Sequence, residues 1–152
     1  ASVGFSDAHS IENKAFGGLI PSCEQQQLLG ILFPSACFSR RCPAQGALFS
    51  FFLGGLKHAE MLDKTDDELR EIIMKALPMM LGFPHDVQPD RIQFFRHARA
   101  IPQYELSSGD RFAAVARIEQ AHPGLVIGGN LRDGIGMADR IRQGVAMGMQ
   151  DD

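Results

Sequence analysis

The chain has 152 residues, of which 45% are hydrophobic and 22% charged, which is typical of a globular protein and not of a disordered one. Its net charge of −3 gives no electrostatic reason to expect nucleic acid as a partner. No apolar run approaches the ~18 residues of a membrane-spanning helix. The three cysteines have irregular spacing, so we predict free thiols in a reducing cytoplasm and neither a disulfide framework nor a zinc site.

The first half of the chain is predicted to form strands. Short apolar runs bounded by glycine and proline are typical of strands, although periodicity alone leaves a buried helix open for each. Because Ala1 to Phe5 already resembles the end of a strand, we expect the chain to be cut from a longer protein. The other predicted strands are residues 16–20, 28–33 and 47–53.

A helix with a clear start is predicted from Thr65. The residues from Thr65 to Glu68 have the form of a capping box, with acidic residues where a helix N-terminus favours them. Apolar residues then recur at the spacing of one helix face: Leu69, Ile72, Ile73, Ala76 and Leu77. Pro78 is expected to end or kink this helix.

The second half is predicted to alternate strands and helices. A strand at 92–100 is followed by a helix from about 109 to 121, a strand at 125–127 and a helix from about 137 to 149. After a strand-rich first half, this order predicts an α+β fold. We expect an antiparallel sheet with helices, followed by the last strand and helix of an incomplete α/β part.

Glycines between the predicted strand at 125–127 and the last helix form the segment most typical of a ligand site. Gly128 to Asn130 and Asp133 to Gly136 are rich in glycine, which lets the backbone approach a ligand closely. The following helix start would present unpaired N–H groups that suit a phosphate or the electron-rich edge of a reduced flavin. The spacing is not Gly-x-Gly-x-x-Gly, so on spacing alone a tight turn without a ligand is favoured.

Several stretches together match one family in order. They are GGNLRDGIGMADRI at residues 128–141, AIPQY at 100–104, FGGLIP at 16–21 with LLGILF at 28–33, and FFLGG at 51–55. Over nearly the whole chain they resemble the C-terminal part of the protoporphyrinogen oxidases, which belong to the amine oxidase and phytoene desaturase group of flavoproteins.

The resemblance implies a cofactor site for FAD. The backbone N–H groups of Ile135, Gly136 and Met137 would face the N1/O2 edge of the isoalloxazine ring and stabilise the reduced flavin. Gly129 and Asn130 would belong to the same cofactor-binding loop. The position of Arg96 also lies near the flavin in related enzymes, although several of them have an aromatic residue there.

Two domain assignments follow from the resemblance. Residues 1–100 would be part of the substrate-binding and central sheet region, and residues 101–152 the C-terminal part of the FAD-binding domain. The Gly-x-Gly-x-x-Gly unit that holds the FAD pyrophosphate in the family is absent from this chain. The isolated chain is therefore expected to bind FAD weakly or not at all.

The activity implied is the conversion of protoporphyrinogen to protoporphyrin in haem biosynthesis, with FAD and oxygen and without a catalytic side chain. Alternatives left open are a coproporphyrinogen oxidase, another flavin desaturase or amine oxidase, and a stand-alone α+β interaction module without flavin. The expected partners are a porphyrinogen and oxygen, with no metal and no nucleic acid. The expected location is cytoplasmic, with peripheral association at the inner face of the membrane left open. Self-association through exposed apolar surface is also left open.

Overall fold

A computed structural model describes residues 1–8, 11 and 15–149. The chain divides into two compact units, Ala1–His97 and Ala98–Asp152. Within the described ranges, no helix is long and apolar enough to cross a membrane.

The first unit is built on a five-stranded sheet in the order β2-β3-β4-β1-β5. Every neighbouring pair is antiparallel, which confirms the predicted antiparallel sheet and α+β class. The strands are β1 (Ser2–Phe5), β2 (Gly17–Leu19), β3 (Leu28–Leu32), β4 (Ala47–Leu53) and β5 (Arg91–Gln93).

Two helices accompany the sheet, α1 (Pro34–Cys37) and α2 (Asp66–Leu81). One face of α2 and one face of the sheet share a single apolar core, because alternate residues of each central strand point the same way. Its largest fully buried side chains are Val3, Phe49, Phe51, Ile73 and Leu77. The short helix α1 was not predicted; proline at its first position is a favourable start.

The predicted capping box of α2 is present. The Thr65 hydroxyl accepts a hydrogen bond from the Glu68 amide at 3.3 Å, and the Glu68 carboxylate accepts one from the Thr65 amide at 2.8 Å. The Thr65 amide, and next the Thr65 hydroxyl, which donates to the same carboxylate at 2.9 Å, hold the pKa of Glu68 below its usual value. Two of the helix's otherwise unpaired N-terminal groups are therefore satisfied.

Two predictions for the first unit need correction. Of the two outcomes predicted for Pro78, an end of the helix is wrong and a kink stays a prediction: α2 continues to Leu81, where Gly82 adopts a left-handed conformation and donates to the Pro78 carbonyl at 3.0 Å. The strand predicted at 92–100 is only β5, because β1 pairs with it no further than Ser2 opposite Gln93. Among the described residues of the first unit, no strand pairs with the backbone beyond Gln93.

The second unit contains α3 (Ser108–Ala121) and α4 (Met137–Gly148), close to the predicted bounds. The strand predicted at 125–127 is not formed. A strand needs a neighbouring strand, and the described part of this unit contains none. Instead, the amide of Ile127 donates to the Glu119 carboxylate at 2.8 Å.

Replacing Thr65 by alanine is expected to lower the free energy of unfolding by ~1 kcal/mol, the usual cost of losing an N-cap hydroxyl. Urea unfolding followed by far-UV circular dichroism measures the change. Thr65→Ser keeps the hydroxyl and should stay close to the wild type. Equal midpoints for Thr65→Ala and the wild type would show that the cap contributes nothing.

Candidate functional site

The loop of residues 128–136, called the 128–136 loop below, leads directly into α4. Three of its residues have a left-handed backbone: Gly129 (φ 105°), Asp133 (φ 63°) and Gly134 (φ 94°). Glycine adopts this conformation without strain, and aspartate tolerates it better than most residues. Of the glycines predicted for this segment, Gly129 and Gly134 are therefore needed by its backbone conformation.

An ion pair ties the loop to α3. The Arg132 guanidinium donates two hydrogen bonds to the Glu119 carboxylate, at 2.6 and 2.8 Å, and each side chain is only 22% exposed. A bidentate pair of this kind fixes direction as well as distance. It holds the pKa of Glu119 below its usual value, with the Ile127 amide as a further cause.

Two side chains of α4 form hydrogen bonds with the beginning and the middle of the loop. The Arg140 guanidinium donates to the carbonyls of Gly129 and Arg132, the second at 2.8 Å. Gln143 accepts from the Gly129 amide at 2.7 Å and donates to the Asp133 carboxylate at 2.6 Å. Side chains of α4 therefore restrain the loop that precedes this helix.

Tyr104 contacts the loop from a different segment. Its hydroxyl lies 3.2 Å from the Asn130 carbonyl and 3.3 Å from the Gly134 carbonyl, and it accepts from the Gly134 amide at 3.2 Å. The ring packs edge-on against Phe112 of α3, with centroids 5.8 Å apart.

The start of α4 is open. Gly136 is the N-cap residue and has no side chain to cap the helix, while its amide donates to the Asp139 carboxylate at 3.2 Å. Met137 is 80% exposed and Ile135 is 45% exposed. The first amides of a helix have no partner within it, so this terminus presents N–H groups and partial positive charge to its surroundings.

The predicted site residues fall in both units. Gly129, Asn130, Ile135, Gly136 and Met137 are together at the 128–136 loop and the start of α4. Arg96 belongs to the first unit, where its guanidinium donates to the Asp66 carboxylate at 2.7 Å and the Lys64 carbonyl at 2.6 Å. A flavin contact for any of the six remains a prediction.

The supporting side chains were not predicted from the sequence. They are Tyr104, Glu119, Arg132, Arg140 and Gln143. Tyr104 lies in the AIPQY stretch and Arg132 and Arg140 in the GGNLRDGIGMADRI stretch, so the resemblance marked their segments without assigning roles. For metals, no group of three or more His, Cys, Asp or Glu side chains in the described ranges could hold an ion.

Comparisons with known proteins give one consistent result. The chain is 31% identical over 134 residues to protoporphyrinogen oxidase 2, chloroplastic/mitochondrial, of Arabidopsis thaliana and to the mitochondrial protoporphyrinogen oxidase of Nicotiana tabacum. Each match covers 86% of this chain and 26% of the relative. The chain thus spans about a quarter of the length of these relatives. No family model matches the chain.

A solved structure shares the fold. A candidate protoporphyrinogen oxidase from Exiguobacterium sp. 255-15 superposes with a TM-score of 0.76 at 16% identity, over 99% of this chain and 32% of that one. The predicted recognition is confirmed: the chain is homologous to part of a class of oxidoreductases. Its homologues within that class are protoporphyrinogen oxidases, and the partial coverage fits a C-terminal fragment.

Replacing Glu119 by glutamine is expected to lower the urea midpoint of the second unit at pH 7. Because the folded-state pKa of Glu119 lies below 4.5, the ion pair stabilises the fold above about pH 4.5, and this stabilisation is lost as the pH falls through the folded pKa. The difference between variant and wild type should therefore shrink in acid. Fluorescence of Tyr104, the single tyrosine in a chain without tryptophan, reports the transition.

Glu105→Gln is the matched control, since it removes a carboxylate of the same unit that forms no ion pair within the described ranges. It should leave the midpoint nearly unchanged at both pH values. A Glu119→Gln midpoint equal to that of Glu105→Gln at pH 7 would contradict a stabilising ion pair.

Proposed function

We propose that this chain is the C-terminal part of a flavoprotein oxidase that converts protoporphyrinogen to protoporphyrin in haem biosynthesis. The observation that carries the proposal is the 31% identity to plant protoporphyrinogen oxidases over 86% of the chain. In such an enzyme, bound FAD would supply the hydride acceptor and oxygen would reoxidise it. The residues of this chain would bind and orient.

The start of α4 fits the ring edge of a flavin. It is exposed, it has no capping side chain at Gly136, and Gly134 approaches it in a left-handed conformation that other residues adopt at a cost. The Met137 amide would stabilise negative charge at that edge through direct donation and the helix dipole, while the Gly136 amide donates to the Asp139 carboxylate and fixes the turn into the helix. Residues 101–152 would then belong to the FAD-binding domain, with Ile135, Gly129 and Asn130 lining the same site.

The outer face of the sheet fits a large apolar substrate. Leu19, Gly30 and Phe52 face one another across β2, β3 and β4, on the face opposite the core. Leu19 is 89% exposed and Phe52 is 46% exposed, whereas Gly30 between them is buried beside Leu19. The apolar part of a large macrocycle can pack on exposed leucine and phenylalanine side chains of this kind, which supports a substrate-binding role for residues 1–100.

Among the alternatives, a stand-alone interaction module explains neither the similarity to oxidases nor the open, glycine-lined helix start. A coproporphyrinogen oxidase would use the same flavin loop, and the choice between the two substrates is a matter for experiment. We further propose a cytoplasmic enzyme that meets its poorly soluble substrate at the inner face of the membrane.

The test uses the complete gene product that carries this chain. Mixed with protoporphyrinogen under air, it should generate porphyrin fluorescence that increases with the amount of enzyme and requires FAD. With the more highly charged coproporphyrinogen, the fluorescence should increase more slowly. A faster reaction with coproporphyrinogen would show that coproporphyrinogen is the preferred substrate. Bound flavin without porphyrin formation would move the function to a related flavin oxidase, and a protein that neither binds flavin nor oxidises either substrate would defeat the proposal.

Replacing Gly134 by alanine is expected to lower the flavin content of that gene product about tenfold, since a left-handed alanine costs 1–2 kcal/mol. The added methyl group would also collide with the Asp139 carboxylate that holds the Gly136 amide. Flavin absorbance per protein measures the effect. Gly109→Ala in α3, where a methyl group meets no atom within 4 Å, should keep full flavin content.

A further inference from the structure

We propose that Tyr104 is a positioning residue: its hydroxyl sets the conformation of the 128–136 loop, and through it the placement of the α4 start against the flavin. The second half of this inference rests on the proposed function. The first half concerns this chain alone.

The hydroxyl of Tyr104 bridges the middle of the loop to its end. A phenol carries one proton, so it donates to one carbonyl at a time, of Asn130 or of Gly134, while it accepts from the Gly134 amide. Residues 130 and 134 are four apart, and one side-chain oxygen holds both. Gly134 lies only two residues before the N-cap, Gly136.

The other side chains grip different points of the loop. Arg140 and Gln143 bond the backbone of Gly129 and Arg132 and the side chain of Asp133. None of these bonds reaches the backbone at Asn130 or Gly134. Tyr104 therefore restrains a part of the loop that the polar side chains of α4 leave unrestrained.

The ring is held so that its hydroxyl keeps this position. Phe112 packs against it at an interplanar angle of 78°, and the Arg111 guanidinium lies 5.5 Å from the ring centroid. Both partners belong to α3, so the aromatic side chain of Tyr104 fixes the position of the loop relative to that helix. Tyr104→Phe keeps these ring contacts and removes only the hydroxyl.

The first experiment uses this 152-residue chain without flavin. Amide hydrogen exchange, read by nuclear magnetic resonance, should be about tenfold faster at Gly134 in Tyr104→Phe than in the wild type, the size expected from losing one hydrogen bond. Thr65→Ala, which removes a hydroxyl from the first unit, should leave exchange at Gly134 unchanged. Equal exchange at Gly134 in Tyr104→Phe and the wild type would overturn the positioning role.

The second experiment uses the flavin-loaded gene product. Tyr104→Phe should weaken binding of reduced relative to oxidised FAD about tenfold, which lowers the midpoint potential by ~30 mV for a two-electron couple. A merely structural role would lower thermal stability and leave the potential in place, as Thr65→Ala should do. An unchanged potential, with faster exchange at Gly134, would overturn the link to the flavin.

The two experiments separate this inference from the proposed function. A wild-type gene product that holds no flavin would defeat the proposed function and the link to the flavin together. The exchange rates at Gly134 would still decide whether Tyr104 holds the loop.

Discussion

The ion pair between Glu119 and Arg132 is the interaction on which the second unit depends most. Its two side chains are each 22% exposed, and the bidentate geometry gives each charge a matched partner. Glu119 also accepts from the Ile127 amide, and Arg132 lies within the 128–136 loop. The Glu119 carboxylate thus ties two positions to α3: Ile127, just before the loop, and Arg132 within it. The shape of the α4 start follows from that anchoring.

Charges of both signs surround the α4 start: the Asp139 carboxylate at the N-cap opposes an anion there, and the helix dipole and Arg140 favour one. Glu119 neutralises Arg132. The Arg140 guanidinium donates to two backbone carbonyls and to the side-chain oxygen of Gln143, and it forms no ion pair within residues 1–8, 11 and 15–149. A positive charge therefore lies one turn into a helix whose N-terminus already carries partial positive charge. For the proposed FAD site, both fields would favour the reduced, more negative ring over the oxidised one. The loop bonds would supply the geometry and Arg140 part of the field.

Local patterns in the sequence were sufficient where one segment determines the result. The capping box at Thr65 and the bounds of β4, α3 and α4 follow from neighbouring residues, and all are found close to where they were predicted. Predictions failed where the partner would have to lie elsewhere in the chain: residues 125–127 form no strand, and residues 98–149 of their unit contain no strand to pair with. The Tyr104 bonds to residues 130 and 134 are equally distant in sequence, and no spacing rule predicts them. The six residues predicted to bind the cofactor were taken from family resemblance and not from local pattern.

Side chains of the second unit restrain the 128–136 loop of that same unit. This bears on what the chain can contribute to the proposed enzyme. The side chains that restrain residues 128–136 all lie between residues 104 and 143, so the rest of a longer protein is not needed to shape the α4 start. Binding FAD makes a further demand, because its pyrophosphate needs a phosphate-binding loop, and the chain contains no Gly-x-Gly-x-x-Gly. Shape and affinity are therefore separable in the proposed enzyme. This chain would contribute a preorganised wall that tunes the flavin, while tight binding would come from residues beyond those in the chain.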